Sequence, residues 1–141
     1  MFSNFLHCAQ KISDTDNKTE KEKAGRLNQA GKNSLATSAM LKAGTVRAAT
    51  GENAVVVNCR HADIIVGPIG IVVADALLGE ITPAMATAVC QSHAMRVLIP
   101  VNHCENYIVG VPEQPISDLV AAAVQKVKAL CAGEGCGKRV Y

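Results

Sequence analysis

The chain has 141 residues, 49% of them hydrophobic, with a formal net charge of +2, two Phe, two Tyr and no Trp. That length suits one domain with a sizeable core and is too short for two ordinary ones. The near-neutral charge, with basic residues interleaved among acids, gives no electrostatic footprint for nucleic acid, and so few aromatics can neither stack bases nor build an aromatic hot spot.

The core must therefore be aliphatic. No apolar run approaches the roughly 18 to 20 residues needed to span a bilayer, since even Ile64 to Leu78 is broken by Gly67, Pro68, Gly70 and Asp75. No membrane span is expected. The opening residues, MFSNFLHCAQK, have neither the charged start nor the small-residue cleavage site of a secretory signal. The expected compartment is the cytoplasm, with the cysteines at 8, 59, 90, 104, 131 and 136 as thiols rather than a disulfide framework.

In chain order, residues 13 to 33 are rich in charge and amides, with Leu27 their only large aliphatic residue. Such a segment buries too little apolar surface to offset its ordering entropy, so residues 1 to 30 are expected to be a poorly ordered tail or a frayed helix. From Ser34 the composition changes. Leu35, Met40 and Leu41, with small alanines between them, follow a cap at Asn33 or Ser34 and stop at Gly44, which predicts a helix.

The run from Thr50 to Ala62 reads two ways. Val55, Val56 and Val57 favour a strand by propensity, yet Cys59 to Ala62 lack hairpin chemistry, and a helix capped by Thr50 fits alternating α/β architecture better. The helix is the preferred reading.

The chain is organised around residues 62 to 101, ADIIVGPIGIVVADALLGEITPAMATAVCQSHAMRVLIPV. A strand over Asp63 to Val66, a turn at Gly67-Pro68-Ile69-Gly70, a helix from Ile69 to Leu78, a second helix after Thr82-Pro83 and a strand from Arg96 to Pro100 make a β-α-β unit, whose strands must lie parallel in one sheet. A further edge strand is expected over Asn106 to Val111. Pro115 is expected in the first turn of a last helix reaching about Leu130, whose stripe is Ile116, Leu119, Val120, Ala123, Val124, Val127 and Leu130. Residues 132 to 141 are expected to be a flexible tail.

The runs SLATSAMLKAG (34 to 44), ATGENAVVVN (49 to 58) and ADIIVGPIGIVVADALLGEITPAMA (62 to 86), with RVLIPVN and YIVGV later, resemble an uncharacterised bacterial domain-of-unknown-function family over roughly residues 31 to 130. The resemblance implies a three-layer Rossmann-like α/β domain with a mostly parallel sheet over residues 31 to 131, and no established activity. Members of that family open with a strand and a glycine-rich turn of the GQGGGIG kind. Residues 1 to 30 contain no such loop, so the domain is expected to lack its first strands and the phosphate-cradling feature of a dinucleotide site.

The expected ligand site gathers Asn33, Ser34, Thr50, Glu52, Asn53, Gly67, Pro68, Gly70, Asn102 and His103, which flank helix starts and strand ends on one face. Each has a plainer reading. Gly67 to Gly70 offer backbone N–H groups to an anion, but a tight strand-to-helix turn needs glycine for geometry alone. Thr50 to Asn53 fit a ligand-orienting loop or a helix cap. Asn102 and His103 follow a strand at its carboxyl end, where loop polar residues are common in any case.

Asp75 and Glu80 have no acid beside them to form a carboxylate pair, and Cys131 and Cys136 need Cys104 and a histidine to make a zinc site, so no catalytic or metal set is assigned. The expected function is a small anionic or nucleotide-like ligand bound at the carboxyl ends of the strands. A nucleotide is the cofactor to test, although no glycine-rich loop supports it. The alternatives are a non-catalytic interaction or homo-oligomerisation module and, more weakly, a Cys/His metal-binding protein. Whether any reaction is catalysed is left open.

Overall fold

The computed structural model describes residues 5–10, 26–31, 38, 42, 47–101, 107–112 and 114–132. The pattern Ile64-Ile65-Val66 is apolar on both sides of a strand, and it forms β4 (Ile64–Pro68). Successive side chains point to opposite faces, yet Ile64 is only 5% exposed and Ile65 0%. Both faces of β4 are therefore covered, which is what a continuous apolar run requires. It pairs in parallel with β5 (Met95–Ile99), Ile64 opposite Met95 and Pro68 opposite Ile99.

Three more strands complete the sheet: β1 (Phe5–Gln10), β2 (Arg26–Gly31) and β3 (Arg47–Thr50), in the order β3-β2-β1-β4-β5. β2 and β3 are parallel, like β4 and β5. β1 lies between the two pairs and runs against both neighbours, with Cys8 opposite Asn28 on one side and Ile65 on the other. Strands are thus present where residues 1 to 30 were expected to bring none, and the sheet is less parallel than expected. The physical reason is that strand formation depends on partners more than on composition: Arg26–Gly31 carries one large aliphatic residue but is flanked on both sides by β1 and β3. Of the helix expected over 34 to 44, Ser38 and Lys42 are helical and the rest lies outside the described residues.

Residues 52 to 61 form a helix, α1 (Glu52–His61). Its β-branched run is tolerated because Val55 and Cys59, one turn apart, share a buried face. Thr50 does not cap it. That residue ends β3, and Gly51 is the N-cap, at φ 103 and ψ 172, with no side-chain cap.

The turn and helix expected over Gly67 to Leu78 are replaced. Gly67 and Pro68 belong to β4, Ile69–Val72 is a single 3-10 turn, and residues 74–80 are turns in which Asp75, Leu77, Leu78 and Gly79 all have positive φ. The loop is closed by its own backbone: Asp75 N–H donates to the Ile81 carbonyl at 2.8 Å, and Ile81 N–H to that of Ala76 at 3.2 Å. A non-glycine residue in the left-handed region costs roughly 1–2 kcal/mol. Here Leu77 packs on the core and Ile81 is buried, which offsets part of that cost.

Thr82-Pro83 starts α2 (Pro83–Gln91) as the pattern predicts, with Met85 N–H donating to the Thr82 hydroxyl at 3.2 Å. Met85, Ala86 and Val89 on α2, with Val55 and Cys59 on α1, Ile65 on β4 and Ile71 and Ile81 beside it, form the core. The ends of α1 and α2 are also tied. Ser92 Oγ donates to the Cys59 carbonyl at 2.6 Å, and the Arg96 guanidinium donates to the Val89, Cys90 and Ser92 carbonyls at 3.3, 3.2 and 3.0 Å, satisfying the last carbonyls of α2.

The strand expected over Asn106 to Val111 is not formed by its described residues. Val109 and Gly110 make a turn closed by Val111 N–H on the Ile108 carbonyl at 3.3 Å, and Gly110 at φ 82 takes the chain out of extended geometry. The last helix, α3 (Ile116–Cys131), has Pro115 as its N-cap and packs on β5 with Ala123 buried; Val124 of the expected stripe is exposed. Mixed helix and strand with parallel pairing is consistent with the α/β class.

Candidate functional site

The registers place the carboxyl ends of β2, β3, β4 and β5 on one edge of the sheet, with the amino end of β1 among them. Because α1 follows β3 after Gly51 alone, its first turn sits on that edge, carrying Glu52. A carboxylate at this position is favoured by the helix dipole. The connection from β4 brings the start of α2 to the same place, and the Thr82 hydroxyl donates to Glu52 Oε2 while accepting from Met85 N–H. Thr82 thereby uses its hydroxyl in both directions, which fixes the rotor and joins the starts of two helices.

Of the expected site residues, Thr50, Glu52 and Asn53 are brought to this edge, and all three are exposed. Gly67, Pro68 and Gly70 are buried beneath it, in β4 and the 3-10 turn, where Gly67 faces Leu98 and Pro68 faces Ile99 across the ladder. Gly67 and Pro68 are thus strand residues, and Gly70 lies in the 3-10 turn that follows. Asn33, Ser34, Asn102 and His103 lie outside the described residues. The residue that sequence reasoning missed as part of this group is Thr82. Its capping role is legible from Thr-Pro, but nothing local ties it to an acid thirty positions away.

Glu52 stands at the carboxyl edge, and Asp75 and Glu80 lie in the connection between β4 and α2. Arg60 and His61 occupy the last turn of α1 on the opposite edge, where Asp63 before β4, His93 after α2 and Arg96 near the start of β5 also lie. A carboxylate beside a hydroxyl can accept from ligand hydroxyl or amine groups, and it repels a phosphate placed alongside.

Among the described residues no group of three or more His, Cys, Asp and Glu is placed to hold a metal ion. Cys131 is exposed at the end of α3, while Cys104 and Cys136 lie outside the described residues. No helix among the described residues is long and apolar enough to cross a membrane.

No curated protein and no solved structure matches the chain. The family described as a domain of unknown function, DUF3842, matches residues 12–132, beginning further upstream than the resemblance read from the sequence. With most of its length matched, the chain belongs to that family.

Proposed function

We propose that the chain is a cytosolic, bacterial ligand-binding domain of three-layer Rossmann-like build, taking a small nucleotide-like ligand at the carboxyl edge of its sheet. The build is supported by the strand order β3-β2-β1-β4-β5, that of the doubly wound folds, and by the burial of both faces of β4; the reversed β1 is its departure. The observation that carries the site is the Glu52 carboxylate held by Thr82 where two helices start. The acid supports contact with the sugar-like, hydroxyl-bearing part of the ligand, with any anionic group directed away from it.

The test is a thermal-shift screen of the chain with nucleosides, mononucleotides and dinucleotides. A ligand at a hundred times its Kd stabilises the native state by about 2.7 kcal/mol, a readily measured shift. The expected result is a shift that shrinks in Glu52→Gln. No shift with any of them, or an equal shift in Glu52→Gln, overturns the reading.

A second reading is an interaction module pairing with another copy. β4 is covered by β1, so among the described residues β5 is an edge of the sheet, and Met95 on β5, Val124 on α3 and Tyr107 and Val109 between them in sequence are all exposed. A sheet edge flanked by apolar side chains is a template for a second strand. Sizing across a hundredfold concentration range should then show a dimer that Met95→Lys weakens, whereas a monomer throughout removes this reading.

A further inference from the structure

We draw no further inference here: the strongest candidate, the left-handed turn between β4 and α2 that carries Leu78 fully exposed at its tip, is an unpartnered apolar projection, and nothing in the structure shows what covers it.

Discussion

The Thr82 hydroxyl donates to the Glu52 carboxylate while it caps its own helix, so one side chain couples the starts of α1 and α2. The two residues stand thirty positions apart in the chain and belong to different helices. Their link fixes the carboxyl edge at the point where the ligand is proposed to bind.

That coupling is measurable. Thr82→Ala removes both the N-cap and the partner of Glu52, and should cost about 1–2 kcal/mol in chemical denaturation, most of it from the lost cap. Glu52→Ala alone should cost less, because its carboxylate is exposed. In a double-mutant cycle the pair should show a coupling of about 0.5 kcal/mol or more. Strict additivity would show that the bond contributes nothing in solution.

Gly51 at the proposed edge and Gly70 beneath it should respond differently to alanine. Gly51 sits at φ 103 and ψ 172, a conformation essentially restricted to glycine, and Gly51→Ala should cost about 1–3 kcal/mol. The Cβ added by Gly70→Ala would meet Leu77 Cγ at 3.5 Å, ordinary contact, so this change should stay within about 0.5 kcal/mol. Equal losses at both positions would refute the distinction.

The left-handed turn offers a stabilising substitution. Leu78 has φ 60 and is 104% exposed, so it carries backbone strain with no packing in return. Leu78→Gly should raise stability by up to about 1 kcal/mol, the relief of strain being partly cancelled by glycine's larger unfolded-state entropy. Leu77→Gly relieves a similar φ but removes a side chain packed on the core, so it should destabilise. A drop in melting temperature for Leu78→Gly would mean that the turn is not left-handed in solution.

The interior position of β1 makes its backbone indispensable. Cys8 is paired with Asn28 and Ile65 on its two sides, so Cys8→Pro removes a ladder donor from a central strand. The expected outcome is a cost of about 3 kcal/mol or more, with β4 left as an open edge and aggregation on sizing. A Cys8→Pro chain as stable and as monodisperse as the parent would show that Phe5–Gln10 does not occupy the middle of the sheet.

What the chain determines locally was legible in part: the helix as the preferred of two readings for Thr50 to Ala62, a parallel pair expected over Asp63 to Val66 and Arg96 to Pro100 and found as Ile64–Pro68 and Met95–Ile99, the Thr82-Pro83 start and the last helix beside Pro115. These features rest on signals within a few residues of one another, such as an apolar face one turn wide, a hydroxyl three residues before an N–H, or a short apolar run. Tertiary structure decided the rest. Arg26–Gly31 is a strand because β1 and β3 lie beside it, a fact its polar composition conceals. The segment after Val72 looked helical by its apolar residues, but the bonds joining Asp75, Ala76 and Ile81 close it as a left-handed turn that buries Ile81. Gly67 and Pro68, expected in a strand-to-helix turn, belong to the ladder opposite Leu98 and Ile99. The proposed site shows the same division: the Thr82 cap of α2 is local chemistry, whereas the meeting of Glu52 with Thr82 exists because Val55 and Cys59 share one core with Met85 and Val89, which brings the two helix starts together.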